Sequence, residues 1–172
     1  GCTVRGVCGK TDDVANLQDA LIFALKGMAN YSSQLRKVKK VSSEIDGFLF
    51  KALFTTITNA NFDAKDMVED IKKAIEYRKS IKAELEKEGV TLDPKFEGKP
   101  LTTWEFTTKE EAEMLAPKVG VLRTENEDVR SLREIILYGL KGISAYGFHA
   151  YNLGKISEEL YAFYEKALLA TE

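Results

Sequence analysis

Residues 13–31 read DVANLQDALIFALKGMANY, and this stretch decides the fold class. Its apolar residues recur at alternating steps of three and four, the spacing of one face of an amphipathic helix; they are Val14, Leu17, Leu21, Leu25 and Met28. Two more segments, at about 43–58 and 63–88, have helical spacing, and the second stops at Gly89. No segment alternates with a period of two for long enough to require a sheet. The sequence therefore predicts an all-α protein.

The opening stretch has a second copy 115 residues later. Without a gap, 15 of the 44 positions from 13 to 56 are identical to their counterparts at 128–171, whereas average compositions would give roughly three. Both copies contain the triplet Leu-Lys-Gly, which ends at Gly27 and at Gly142. Because an interior glycine costs a helix about 1 kcal/mol relative to alanine, we expect another helix backbone to approach closely at both glycines. The repeat predicts two related up-down helical bundles.

The duplication divides the chain into four regions. We predict a cysteine-bearing loop at 1–12, a first three-helix bundle at 13–90, a connecting arm with a short helix at 91–123, and a second bundle at 124–172. The second bundle is expected to lack its third helix, because Glu172 corresponds to Ile57. Its unpartnered apolar face predicts self-association or a fragment of a longer protein, unless a short helix at 109–116 covers it. Trp104, in the arm, is expected to pack on a helix surface.

The composition excludes several classes of function. The chain has 25 Lys+Arg against 27 Asp+Glu, so it lacks the net basic character typical of nucleic-acid and anionic-membrane surfaces. No uncharged apolar run approaches the roughly 18 residues of a membrane span. The basic cluster at 36–40 is expected to be a solvated helix end. Two cysteines are too few for a disulfide framework, which predicts a reducing cytoplasm.

The residue types that could support chemistry are few. Cys2 and Cys8 precede the first helix with cations nearby, so both are candidate metal ligands. Two thiolates do not complete a zinc site or an iron–sulfur cluster, and the spacing alone leaves free reduced thiols as an alternative. His149 is the only histidine, and no nucleophile can be placed beside it. We assign no catalytic residue.

Several stretches resemble the hybrid cluster proteins, also called prismane proteins or hydroxylamine reductases. Residues 1–10, GCTVRGVCGK, and 15–19, ANLQD, resemble the N-terminal region of that family. Residues 58–61, TNAN, and 124–134, TENEDVRSLRE, match further stretches, as does the triplet LKG at 140–142. The resemblance covers essentially the whole chain. It implies the helical N-terminal domain of an oxidoreductase, which in this family consists of two three-helix bundles.

The resemblance also implies a cofactor. Cys2 and Cys8 match the last two of four thiolates that bind a [4Fe-4S] cubane, whose other Cys-x-x-Cys pair lies upstream in the family. The hybrid iron–sulfur–oxygen cluster belongs to α/β domains outside this chain, so none of its ligands is assigned here. At that cluster the family reduces hydroxylamine to ammonia, and reduction of nitric oxide is also proposed.

Two functions are therefore expected. In the first, the full-length protein is the reductase, and this chain supplies two ligands of a cluster that relays electrons. Its partners would be the remaining domains and an electron-donor reductase, while this chain alone would be inactive and would bind no cofactor. In the alternative, the chain is an inert helical-bundle fragment, or an interaction or scaffold module without a cluster.

Overall fold

The computed structural model describes residues 6–155 and 157–172, and within these ranges every regular element is a helix. The helices are α1 (Asp12–Leu35), α2 (Ser43–Thr55), α3 (Ala64–Lys87), α4 (Pro100–Thr103), α5 (Lys109–Glu113), α6 (Ala116–Val119), α7 (Glu127–Asn152) and α8 (Glu158–Leu169), with a 3₁₀ turn at Val121–Arg123. The predicted all-α class is confirmed. None of the described helices is both long enough and apolar enough to cross a membrane.

The long helices follow the offset found in the sequence. The first residues of α1 and α7 are 115 positions apart, and so are those of α2 and α8. Each of α1 and α7 packs more extensively on the second helix of the other half than on its own: α1 lies along α8, and α7 lies along α2. α3 covers α1. The two halves are therefore interleaved, and their origin by duplication stays a prediction.

Two lysines inside the bundle make the same contact in opposite directions. Lys26 donates its Nζ to the Thr171 carbonyl at 3.1 Å, and Lys141 donates its Nζ to the Thr56 carbonyl at 3.1 Å. The two threonines are 115 positions apart, and each hydroxyl donates to the carbonyl three residues earlier at 2.7 Å. The last carbonyls of a helix have no intrahelical partner. Each lysine therefore satisfies a helix end in the opposite half, although burial lowers the pKa of both lysines.

The arm between the halves is held by a buried arginine. The Arg78 guanidinium donates to the carbonyls of Leu101 and Trp104, at 3.2 and 2.7 Å. The Leu101 carbonyl lies against α1, where a Cβ added to Gly27 would be 2.2 Å from its oxygen. The close backbone approach expected at Gly27 is confirmed. Trp104 packs edge-on against Phe23 of α1, with ring centroids 6.3 Å apart, which confirms its expected place on a helix surface.

One face of α7 is uncovered within the described part of the chain. Leu132 is 62% exposed and Tyr138 is 83% exposed, whereas their counterparts on α1, Leu17 and Phe23, are 0% and 4% exposed because α1 is covered. We call this surface the α7 face; its other members are Val129, Ile135, Gly142 and Tyr146. A Cβ at Gly142 would have no neighbour within 4 Å among residues 6–155 and 157–172, so these residues do not make the close approach expected there. The short helix α5 lies on α1 instead of covering this face.

Local predictions around the short elements are partly wrong. The pattern Thr124-Glu125-Asn126-Glu127 predicts a capping box that opens a long helix at Thr124. The helix α7 instead starts after Asn126, whose side chain accepts a hydrogen bond from the Val129 amide at 3.0 Å. Thr124 instead accepts from the Arg133 guanidinium at 3.0 Å. The single short helix expected at 109–116 is two helices, α5 and α6. An asparagine nearer to the helix therefore takes the capping position, and the threonine hydroxyl serves a tertiary contact.

Arg36 also departs from expectation, because its side chain is only 10% exposed rather than solvated. Its guanidinium donates to Glu165 at 3.0 and 3.1 Å, to Glu158 at 2.5 Å, and to Asp46. One carboxylate oxygen of Asp46 is buried and has no hydrogen-bond partner among the described residues. Burial raises the pKa of Asp46 to about 6, with Arg36 opposing the rise and Glu165 adding to it. This cluster joins α2 to α8 and therefore joins the two halves.

The pKa of Asp46 predicts a pH dependence of stability. Its folded value of about 6 exceeds the ordinary value of 3.8, so the folded state binds the proton more tightly. The free energy of unfolding should therefore decrease as the pH rises from 3.8 to about 6. Asp46→Asn should flatten this part of the profile, measured by urea unfolding at a series of pH values. Asp128→Asn, at an exposed aspartate, is the control. An unchanged slope in Asp46→Asn would contradict the assignment.

The two matched glycines give a second prediction. Gly27→Ala should lower the free energy of unfolding by about 1–3 kcal/mol, because the Leu101 carbonyl must move to admit the methyl group. Gly142→Ala should raise it by up to about 1 kcal/mol, because the position is open and alanine favours a helix. Chemical denaturation of the two variants measures the difference. Equal effects at both positions would refute the role given to the arm.

Candidate functional site

Cys8 lies in a tight turn immediately before α1. The Gly9 amide donates to the Gly6 carbonyl at 2.9 Å, and the Gly6 amide donates to the Lys10 carbonyl at 2.9 Å. Gly9 has a φ of +91°, a conformation that favours glycine. Cys8 is half-buried and its thiol is free. The second candidate ligand, Cys2, lies outside the described residues.

A buried lysine holds this turn against the helices. The Lys10 ammonium donates to the Gln18 side chain at 2.8 Å and lies 5.9 Å from the centre of the Phe62 ring. The Gln18 amide in turn donates to the carbonyl of Thr55, the last residue of α2, at 3.5 Å. The turn is therefore tied to α1, to the end of α2 and to the connection that follows it. Parts of two stretches that resemble the hybrid cluster proteins, at 6–10 and 15–19, meet here, and Phe62 directly follows a third, at 58–61.

An ion pair lies at the start of α1. The Lys109 ammonium of α5 is 2.7 Å from the Asp13 carboxylate. Hydrogen bonding from Lys109 lowers the pKa of Asp13 to about 2, so the carboxylate is ionised at neutral pH. A negative charge in the first turn is favourable because a helix N-terminus is positive. α5 therefore helps to hold the end of α1 that follows the cysteine turn.

The offset of 115 places Arg123 at the counterpart of Cys8. Arg123 ends the 3₁₀ turn before α7, and its guanidinium donates to the Glu172 carboxylate at 2.7 Å. The loops that lead into α1 and α7 thus have matched places in the two halves. One of these places has a thiol and the other has a guanidinium, so only the first half offers a soft metal ligand here.

The ligand set within this chain is incomplete for a four-thiolate cluster. The chain has two cysteines, and in the described ranges no group of three or more His, Cys, Asp or Glu could hold a metal ion. A half-buried thiol on an ordered turn fits one ligand of a cluster near the surface. The residues present therefore fit part of the site and do not fit the whole of it.

His149 is exposed and its ring centre is 6.0 Å from that of Phe54, so it makes an aromatic contact.

Comparison with known proteins identifies the family. The model of the Prismane/CO dehydrogenase family matches residues 1–172. This chain belongs to that family. The resemblance inferred from the cysteine-bearing N-terminal stretch is thereby confirmed.

Relatives of this prismane-family chain are named hydroxylamine reductase. The chain is 50% identical to the protein of Thermoanaerobacter pseudethanolicus over 98% of its own length, and 52% identical to that of Clostridium novyi over 99%. It is 47% identical to a protein of Desulfitobacterium hafniense over 99%. The chain spans 30% or 31% of the length of these curated relatives.

The residues that position this prismane-family site were not identified from the sequence. The glycine of the shared Leu-Lys-Gly triplet predicts a close approach, but the lysines of the triplet, Lys26 and Lys141, also make two of the contacts between the halves. The sequence does contain a signal for these two lysines. The same charged residue follows a leucine at matched positions of both repeats, within helices whose neighbouring apolar residues are expected to be buried. Arg78 gave no such signal, because lysines and glutamates surround it in an ordinary amphipathic pattern.

Proposed function

We propose that this chain is the N-terminal helical domain of an iron–sulfur oxidoreductase that reduces hydroxylamine to ammonia, with nitric oxide as a further substrate. One observation supports this most directly. The Cys8 turn is held by Lys10 and Gln18 against the ends of two long helices, in a chain that matches proteins named hydroxylamine reductase.

We infer that Cys2 and Cys8 supply two of the four thiolates of an electron-relay [4Fe-4S] cluster. The other two thiolates, and the hybrid cluster, would belong to parts of the parent protein outside this chain. When bound, a [4Fe-4S] cluster transfers single electrons. The half-buried position of Cys8 suits electron entry from an electron-donor reductase, because the turn is close to the surface. Free thiols of this kind also suit a reducing cytoplasm.

The second candidate function is a helical-bundle module without a cluster or catalytic activity. The cysteine content of this chain favours it, because two thiols do not complete a four-thiolate site. In this case the chain would act through its surfaces, as an interaction or scaffold domain.

The ligand assignment predicts the iron content of the full-length protein. Cys8→Ser should remove the relay cluster, which means a loss of about four irons per chain and a lower turnover of hydroxylamine. Substrate should still bind at the hybrid cluster. Arg123→Ser changes the matched position in the second half and should leave the iron content unchanged. Iron analysis and the visible spectrum measure both variants, and unchanged iron in Cys8→Ser would refute the assignment.

Reconstitution of this 172-residue chain with iron and sulfide tests whether its two cysteines can hold a cluster without the rest of the parent protein. We expect a colourless protein without a stable cluster. A brown protein with about four irons per chain would show that the chain holds a cluster unaided. A dimer with about four irons shared between two chains would show that two copies pool their four cysteines.

We propose that the α7 face is an interface. On α1 the matched surface is covered by α3 together with the arm: Leu17 and Tyr31 are buried, and Phe23 lies against Trp104 of the arm. Phe48 of α2 is buried against Tyr77 of α3, at 5.2 Å between ring centroids, whereas its counterpart Phe163 is 56% exposed. The occupant of the α7 face should therefore present an amphipathic helix like α3. In the parent protein it would belong to the remaining domains, and in this chain alone a second copy would take its place.

Sedimentation measures this self-association. The 172-residue chain should be a dimer, and the double variant Leu132→Glu/Tyr138→Glu should be a monomer, because two carboxylates would be buried on the α7 face. Leu153→Glu is the matched control: Leu153 is exposed, but so is its counterpart Val38, so no partner is expected there. A stable monomer for the unmodified chain would contradict the proposal.

A further inference from the structure

A cavity of about 410 Å³ lies between the arm, α1 and α6. Its floor is apolar and formed by four buried side chains: Phe23 of α1, Phe96 and Leu101 of the arm, and Leu115 directly before α6. None of the residues that line it belongs to the cysteine turn or to the α7 face. Volumes of about 300–1,000 Å³ are typical of pockets for small molecules, so the cavity has the size of a ligand site.

The rim of this cavity is cationic. It contains Lys95, Lys99, Lys118 and Arg123, against one acidic residue, Glu172. The Glu172 carboxylate already accepts from Lys26 at 3.2 Å and from Arg123 at 2.7 Å. The three rim lysines form no ion pair with any residue of 6–155 or 157–172. Three ammonium groups at the edge of an apolar floor therefore have no counter-charge in the part of the chain that the structure describes.

The segment that holds two of these lysines is ordered by contacts with α1 and α3. Glu97 accepts from the Tyr31 hydroxyl and from the Lys82 ammonium, both at 2.5 Å. The Thr102 hydroxyl donates to the Phe96 carbonyl at 2.8 Å. The Arg78 guanidinium donates a hydrogen bond to the Leu101 carbonyl. The floor and the backbone of the rim are thus formed before any ligand arrives, which lowers the entropic cost of binding.

We propose that this cavity binds a small organic anion: a phosphate or carboxylate attached to an aromatic or branched apolar body. The body would lie on the floor, where Phe23 and Leu115 remove its surface from water. The anionic group would lie at the rim, within reach of Lys99 and Lys118. Because the rim lysines are exposed, their attraction is screened by salt, and binding should weaken as the ionic strength rises.

Naphthyl phosphate, naphthol and inorganic phosphate test the proposal by isothermal titration calorimetry. Naphthyl phosphate should bind one site per chain and bind more tightly than either of the other two, because only it has both the body and the charge. Lys99→Gln/Lys118→Gln should weaken its binding by about tenfold, a difference of about 1.4 kcal/mol. Lys65→Gln/Lys72→Gln removes the same charge from exposed positions on α3 and should leave binding unchanged.

A third variant tests the floor without changing the charge. Leu115→Trp should fill the cavity and abolish the binding of naphthyl phosphate, with circular dichroism as the check on folding. The charge variants keep the proposal testable if this one does not fold. The proposal is overturned if naphthyl phosphate does not bind, if naphthol binds equally well, or if both lysine pairs have the same effect. These outcomes are independent of the iron content and so do not depend on the proposed reductase function.

Discussion

Two lysine side chains, Lys26 and Lys141, each reach from one half of the protein to a helix end in the other half, and these contacts determine where the other parts lie. Lys141 of α7 ends at the carbonyl of Thr56, one residue after the Thr55 carbonyl that accepts from Gln18. Gln18 also accepts from Lys10, so the cysteine turn depends on where α2 ends, and α7 holds that end in place. Loss of one such amine would leave a buried carbonyl unsatisfied, a cost of about 1–3 kcal/mol.

The matching lysine contact, in the other direction, has different neighbours. There the Lys26 ammonium donates to the Thr171 carbonyl. The side chain of the neighbouring Glu172 accepts from Arg123, and the Glu172 carbonyl accepts from Arg133. The helices and the threonine contacts match in the two halves, whereas the loops that lead into α1 and α7 differ. The two halves therefore share a matched helical frame and differ in their loops, and binding or catalytic residues often lie on such loops in proteins.

The sequence predicts the long helices well and their ends less well. Helical spacing of apolar residues is strong over α1, α3 and α7, and Gly89 ends α3 at a positive φ of 68° as expected. The prediction that Thr124 caps α7 was wrong, because Asn126 lies closer to the helix and Arg133 binds the threonine. The prediction that Arg36 is solvated was wrong, because its partners Asp46 and Glu165 are far apart in sequence and meet only in the folded chain. Of the site, the cysteine turn was predictable from its resemblance, but its lysine and glutamine tether was not, since that depends on tertiary contacts.

The reciprocal contacts have the form of an isologous interface, in which one pair of surface patches meets twice about a two-fold axis. Residues 88–126 join the two halves covalently, so here that interface is intramolecular. A symmetric dimer of identical units would have to place the same residue at both matched positions. Tethering removes this requirement, because each half always meets the other at a high effective concentration. Cys8 and Arg123 show the consequence: a symmetric frame whose two ends are free to become chemically different.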